Sequence, residues 1–268
     1  MITKYNFENK KIEHIENSVI LGDAIEVLKT IDDNTFDMVF ADPPYNMQLQ
    51  NDLYRPNNTK VDGVDDEWDK FRSFKDYDNY LIDWLKEVKR VMKKNATFWV
   101  IGTYHNIFRV GAILQDLGFW ILNDIIWIKS NPMPNFRGVR FTNATETLLW
   151  TVKDKKVKNY TFNYEFMKSY NKGKQMRNDW YLSICNGSER LKDNGKKVHS
   201  TQKPERLLEM IILSSTNEDD LILDPFGGTG TTGYVAAKNN RRFTMIEKEE
   251  YYVKWILKRF ESLQQKLF

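Results

Sequence analysis

Asp42-Pro43-Pro44-Tyr45 closes the apolar run Met38-Val39-Phe40-Ala41. An acid, two prolines and an aromatic at a strand end are an unusual chemical set. Proline lacks an N–H and fixes φ, so the turn is rigid, and Pro43 biases Asp42 toward extended backbone. The Asp42 carboxylate and the Pro43 and Pro44 carbonyls are all acceptors, with the Tyr45 ring beside them. Such a set suits a flat ring carrying an exocyclic amine: the acceptors take its N–H groups and the tyrosine stacks on its face. An ordinary β-turn is the bland alternative.

A second string lies far downstream, Asp224-Pro225-Phe226-Gly227-Gly228-Thr229-Gly230-Thr231-Thr232, and it too follows an apolar strand, Leu221-Ile222-Leu223. Glycines between a strand and a helix let a ligand approach the backbone closely. The string is not G-x-x-x-x-G-K-[ST], which excludes a P-loop, and it is not a full G-x-G-x-x-G. About twenty residues on, Glu247 ends the strand Phe243–Ile246, a position that suits ribose hydroxyls. Asp23 follows the strand Ser18–Leu21, where it reads equally as a ligand contact and as a helix N-cap.

The elements that must position these groups alternate as βα units. Helices are expected over Asp78–Met92, Ile107–Leu117, Glu205–Ser214, Thr232–Lys238 and Tyr251–Leu263, from apolar residues at helical spacing. Gly118 stops the second of these, and Pro204 fits the first turn of the third. Strands are expected over Asp37–Ala41, Thr97–Ile101, Ile121–Ile128 and Glu146–Val152. The stretch 46–73 shows no clear period, so it reads as a long loop, and loops of that length tend to be functional or disordered. Lys153–Gly195 reads as the least regular portion.

With 268 residues and 41% hydrophobic content, the chain can bury a sizeable core as a single domain over residues 1–268. No apolar run is long enough to cross a membrane, and Met1-Ile2-Thr3-Lys4-Tyr5 lacks a signal-peptide pattern, so a cytoplasmic protein is expected. The single cysteine, Cys185, excludes an internal disulfide and a Cys-rich metal site, and reads as structural. His14, His105 and His199 are too scattered to suggest a metal. The formal charge of +3 is uneven. From Lys129 to Arg206 stand 17 Lys and Arg against 7 Asp and Glu, leaving 23 against 30 elsewhere. Interleaved with Phe136, Phe141, Tyr160, Phe162, Tyr164, Tyr170, Trp180 and Tyr181, this segment has the look of a nucleic-acid face. A lysine-rich solvated surface is the alternative, which Arg137, Arg140 and Arg177 and the aromatics fit less well.

The two special strings together resemble the amino-methyltransferases that act on adenine N6 or cytosine N4 in DNA, in the order of the β class. The likeness extends to Phe40–Asn46, Tyr104–Val110, Asp116–Asp124 and Ser130–Phe136, which are similar to the CcrM/HinfI group of adenine-N6 enzymes acting on G-A-N-T-C. It runs from about Ser18 to Phe260. The resemblance implies an α/β, Rossmann-like methyltransferase fold, a mostly parallel seven-stranded sheet with helices on both faces, and S-adenosylmethionine across the strand ends. The cofactor would lie on Asp23, Ala24, Asp42 and Lys203, and on Asp224, Phe226, Gly227, Gly228, Thr229 and Glu247. In the family the string His199-Ser200-Thr201-Gln202-Lys203-Pro204 stands near the methionine part of the cofactor. Family members often have proline where this chain has Ser200, and His199 reads as a packing residue.

Asp42, Pro43, Pro44 and Tyr45 would be the catalytic turn, gripping an adenine rotated out of double-stranded DNA. Residues 46–75 are expected to form a mobile DNA-contacting loop, with Arg55 and Lys60 near phosphates. Residues 129–198 would form the recognition region, with Arg137, Arg140 and Arg177. No metal is expected, and a homodimer is implied by the family. CcrM-type proteins carry an extra C-terminal domain that this chain is expected to lack. Three alternatives stand beside this reading. Cytosine-N4 transfer is disfavoured because cytosine enzymes more often have serine at the position of Asp42. RNA or free-nucleotide methylation is a second, and a DNA-reading subunit without catalysis is a third.

Overall fold

The computed structural model describes residues 2–8, 12, 14–46, 70–135 and 138–266. Its centre is one sheet in the order β1-β2-β11-β10-β3-β4-β6-β5-β7. The first half comprises β1 (Thr3–Asn6), β2 (Ser18–Leu21), α1 (Ala24–Thr30), β3 (Phe36–Ala41), α2 (Phe74–Val91), β4 (Met92–Gly102) and α3 (Ile107–Asp116). Then come β5 (Trp120–Lys129), β6 (Thr145–Val152), α4 (Tyr164–Lys168) and β7 (Asp179–Leu182). A small hairpin, β8 (Lys192–Asp193) and β9 (Lys196–Lys197), precedes α5 (Glu205–Ser215), β10 (Leu221–Asp224), α6 (Thr231–Lys238), β11 (Arg242–Glu247) and α7 (Glu250–Lys266). In the large sheet every pairing is parallel except those of β6, which runs antiparallel to both β4 and β5.

The sheet has nine strands, not the expected seven. The two extra ones are β1, on the edge beside β2, and β7, on the opposite edge beside β5. Both are four residues long and partly exposed; β1 is polar, and the apolar residues of β7, Trp180 to Leu182, are too few to mark a buried strand by pattern. The stretch expected to be least regular also holds α4 and β7. Trp180, expected on a surface, is buried there and packs 6.1 Å from Trp99, which stacks on Trp150 at 5.3 Å.

Side chains alternate along the central strands, as the pleat requires. Val39 and Ala41 of β3, Phe98 and Val100 of β4, and Leu221 and Leu223 of β10 enter a core with α1, α2 and α3. Met38 and Phe40, Trp99 and Ile101, and Ile222 enter the opposite core with α5, α6 and α7. Covering both faces leaves the strand ends as the place where polar groups can meet a ligand.

Helix α2 starts four residues earlier than its apolar spacing suggests. Ser73 caps it by accepting from the Asp76 N–H, and Tyr77 and Val91 join the buried stripe of Leu81, Trp84, Leu85 and Val88. It ends one residue early, because Met92 already belongs to β4. Gly118 turns the chain after α3 with φ +77°. Among the described residues no helix is long and apolar enough to cross a membrane, and no cluster of His, Cys, Asp or Glu is placed to hold a metal. Cys185 is buried, and burial pushes its thiol up to about 11.

Candidate active site

Four adjacent strands, β2, β11, β10 and β3, end at the same edge of the sheet, and the residues that follow them line one cavity of about 590 Å³. The antiparallel β6 brings its first residues to that edge beside the end of β5, so Glu146 and Lys129 line it too. Every residue expected at a cofactor faces this cavity: Asp23, Ala24, Asp42, Lys203, Asp224, Phe226, Gly227, Gly228, Thr229 and Glu247. Pro43, Pro44 and Tyr45 line it as well, so the two special strings share one space.

On the glycine side, backbone geometry does most of the work. Gly228 (φ +53°) and Gly230 (φ +74°) adopt left-handed conformations, which glycine enters without steric cost. At Gly230 an added Cβ would also meet Ile256 Cγ1 at 3.0 Å. The turn aims the Gly228 N–H at Glu247 Oε2 (2.7 Å), while Glu247 Oε1 accepts from the Glu249 N–H (2.9 Å). Asp224 accepts from the Phe226 N–H (3.0 Å) and from the Thr232 hydroxyl (2.5 Å). Burial raises both carboxyls to about 7, because the charged form loses hydration that these hydrogen bonds only partly replace. Asp23 caps α1, accepting from the Ile25 N–H (3.0 Å) and facing Lys248 at 3.7 Å, so it is both a cap and a cavity residue.

The Asp42 side is built from charges instead. Asp42 Oδ2 accepts from the Lys203 ammonium at 2.6 Å, and Oδ1 accepts from the Tyr45 hydroxyl at 2.7 Å. Lys203 reaches this place from the segment that leads into α5, where Pro204 stands at the N-cap. Its ammonium also lies 5.4 Å from the centre of the Tyr45 ring. Burial disfavours the charge on Lys203, but Asp42 and Glu146 outweigh it and hold the ammonium above its ordinary range. Burial beside these two carboxylates pushes the Tyr45 phenol well up, so it stays a donor.

The turn itself is anchored from α2: the buried Tyr77 hydroxyl donates to the Pro44 carbonyl at 2.7 Å. His199 packs on Tyr252 at 4.8 Å and accepts from the Thr201 N–H through Nδ1 (3.2 Å). Burial, with Lys203 and Arg190 nearby, lowers its imidazole to about 4, so it is neutral at pH 7.

Of the residues expected to touch phosphates, the two described ones, Arg140 and Arg177, do not line the cavity. Arg140 is exposed on the β5–β6 connection and donates to the Tyr104 hydroxyl at 2.9 Å. Arg177, just before β7, makes a two-pronged pair with Asp179 at 2.7 Å on each arm. Arg55, Lys60 and Arg137, with Phe136 and most of the loop 46–75, lie outside the described residues.

Sequence reasoning missed Tyr77, Thr232, Lys129 and Glu146. An acid at the second position of the strand Thr145–Val152, ahead of Leu148-Leu149-Trp150, is the available signal for Glu146. Tyr77 looks like any core residue of an amphipathic helix until the fold places it under the Pro44 carbonyl.

The DNA methylase family N6_N4_Mtase matches residues 36–259. The Type II methyltransferase M.HinfI of Haemophilus influenzae is 52% identical over 256 residues, covering 95% of this chain and 71% of that protein. Among solved structures, the M1.HpyAVI–SAM complex superposes with a TM-score of 0.67 at 25% identity, over 97% of this chain and 99% of that one. The cytosine-N4-specific PvuII DNA methyltransferase superposes with a TM-score of 0.69 at 22% identity, over 91% and 86%, and so shares the fold. Matched over most of its length by the family and by a relative with half its residues in common, the chain belongs to the DNA methylases.

Proposed function

We propose that this methyltransferase uses S-adenosylmethionine to methylate N6 of adenine in double-stranded DNA, within G-A-N-T-C. The observation that carries the reading is the joining of two acceptor sets in one cavity: Asp42 and the prolines on one side, Glu247 and the glycine turn on the other. The 52% identity to M.HinfI supports it. Aspartate at position 42 favours adenine over cytosine, following the family tendency toward serine in cytosine enzymes.

The residues fit the cofactor. Glu247 offers carboxylate oxygens at a strand end to ribose hydroxyls, and Gly227 and Gly228 leave the backbone open to close approach. When bound, the cofactor supplies a methyl group on a sulfonium. A target adenine has to leave the base stack to reach this cavity. Asp42 then accepts one N6–H and the Pro43 carbonyl the other, while the Tyr45 ring lies against the base. These bonds draw the nitrogen lone pair toward the methyl carbon. Asp42 would also take up the proton that the amine gives up on methylation. Orientation and fixed electrostatics account for the rate, with no covalent intermediate on the protein. Arg140 and Arg177, with Arg55, Lys60 and Arg137, are the proposed phosphate contacts.

Transfer of tritiated methyl to duplexes tests this directly. Label is expected in a G-A-N-T-C duplex, and not in a duplex whose only amino bases are cytosines or in an RNA of the same sequence. Label at cytosine N4 would overturn the choice of base.

A further inference from the structure

We propose that Glu146 is a positioning residue for methyl transfer, acting through Lys203 and Tyr45 on the Asp42 carboxylate. This rests on the methyltransferase reading of the Asp42 turn.

Glu146 stands at the start of β6, paired in register with Trp127 of β5. Its side chain is 11% exposed, and Oε1 meets the Lys129 ammonium at 2.8 Å. Its other oxygen lies 3.9 Å from the Lys203 ammonium and accepts from the Tyr45 hydroxyl at 3.4 Å. The charges therefore alternate along one wall of the cavity: Lys129, Glu146, Lys203, Asp42. Lys203 and Lys129 are 8% and 12% exposed, so little water screens the row.

The geometry carries more than a tie between strands. Two groups hold Asp42 in place, the Lys203 ammonium and the Tyr45 hydroxyl, and both also reach Glu146. Glu146 shares each of them. If its charge is lost, Lys203 has Asp42 as its remaining close carboxylate, and the Tyr45 hydroxyl keeps its shorter bond to Asp42. Both donors already sit on Asp42, at 2.6 and 2.7 Å, and without the pull of Glu146 they bind the Asp42 oxygens more tightly, against the substrate amine. Loss of the Glu146 charge also takes away the carboxylate that Lys129 meets at 2.8 Å, which favours rearrangement of that lysine on the same wall. Asp42 is then misplaced or a poorer acceptor during the chemical step, while the glycine turn, which Glu146 does not touch, keeps its own hydrogen bonds.

The test compares full-length wild type, Glu146→Gln, Glu146→Asp and Lys129→Met on the G-A-N-T-C duplex with S-adenosylmethionine. Single-turnover methyl transfer is measured beside the dissociation constants for cofactor and duplex and the thermal midpoint. For Glu146→Gln the transfer rate should fall about 100-fold, the scale of a misplaced reacting group, with both dissociation constants within about threefold. Glu146→Asp should recover part of the loss. Lys129→Met removes the β5–β6 pair but leaves Glu146 facing Lys203 and Tyr45, so its loss should be smaller than that of Glu146→Gln. If Glu146→Gln lowers only the thermal midpoint and transfers methyl at the wild-type rate, Glu146 is a strand tie and the inference is overturned. Should Glu146→Gln fail to fold, a Lys129→Met loss as large as or larger than that of Glu146→Asp overturns it equally. Wild type that labels no adenine overturns the underlying reading of the turn, and this inference with it.

Discussion

Around Glu247 and Asp224 the carboxyl oxygens accept from backbone N–H groups and a threonine hydroxyl, whereas around Asp42 and Glu146 they face two lysines and a phenol. Both sets belong to one cavity and one edge of one sheet. On the first side burial wins, and the carboxyls rise to about 7. On the second side the opposite charges win over burial, and Lys203 is held protonated. The difference suits two tasks. Hydroxyl donors of a cofactor are neutral and are met by acceptors set in a rigid backbone. Under the proposed mechanism a reacting amine that gains positive character needs a fixed negative field, which the lysines would hold in place before the substrate arrives.

If the two sides are separable, breaking one should spare the other. Asp42→Ala removes the proposed acceptor of the reacting nitrogen, and methyl transfer should fall about 10³-fold. Cofactor affinity, measured by calorimetry, should stay within about threefold. Full activity in this variant would end the mechanism. Glu247→Ala is the reverse experiment. Loss of two charge-assisted hydrogen bonds to hydroxyls should weaken cofactor binding by about 10- to 100-fold. The transfer rate at saturating cofactor should hardly move. A Glu247→Ala enzyme that binds normally but transfers slowly would show that the division is misplaced.

A pH series sharpens the same contrast. The Glu247 carboxyl rises from an ordinary 4.5 to about 7 because burial disfavours its charge. The folded, ligand-free chain therefore holds this proton more tightly than the unfolded chain does. Its contribution to stability is greatest below about pH 4.5 and is lost as pH rises toward 7. In the proposed complex cofactor hydroxyls donate to the ionised form, so cofactor binding would release the proton. Affinity should rise about tenfold between pH 6 and pH 8, and the dependence should weaken in Glu247→Gln. Equal affinity at both pH values in wild type would remove this account of the glycine side.

The contrast also explains which parts could be read from residues alone. Strands buried on both faces leave long apolar runs, and β3, β4 and β10 are legible for that reason. The edge strands β1 and β7 are only four residues long with one neighbour each, β1 polar and β7 a three-residue aromatic and apolar run, too short to stand out. The glycine side is local: Asp224 to Thr232 and Glu247 announce themselves by strings and spacing. The Asp42 side is assembled from afar, since Lys203 is 161 positions and Glu146 is 101 positions from the residues they meet. Lys203 was legible only through a family string. Glu146 reaches the site only because β6 runs against its neighbours and so starts where they end. The charge count along 129–206 says nothing of that reversal, and it also counts Trp180 among surface aromatics when the sheet buries it.

The smallest effect concerns what makes the Asp42 side rigid. Two prolines stiffen the turn, but stiffness does not fix where it points. Tyr77 supplies that from α2, through a buried hydroxyl on the Pro44 carbonyl at 2.7 Å. Tyr77→Phe keeps the ring packed against Phe71, 4.9 Å away, and removes only the donor. The buried carbonyl then lacks this partner, which costs about 1–2 kcal/mol. Part of that cost is relieved if the turn shifts, and a shift of the turn moves Asp42 and Tyr45 together. Methyl transfer should fall about three- to tenfold, a fraction of what a 1 Å misplacement costs, with cofactor affinity unchanged. Stability loss with a wild-type transfer rate would mean that the prolines alone aim the turn, and that the Asp42 side, like the glycine side, is positioned by its own backbone.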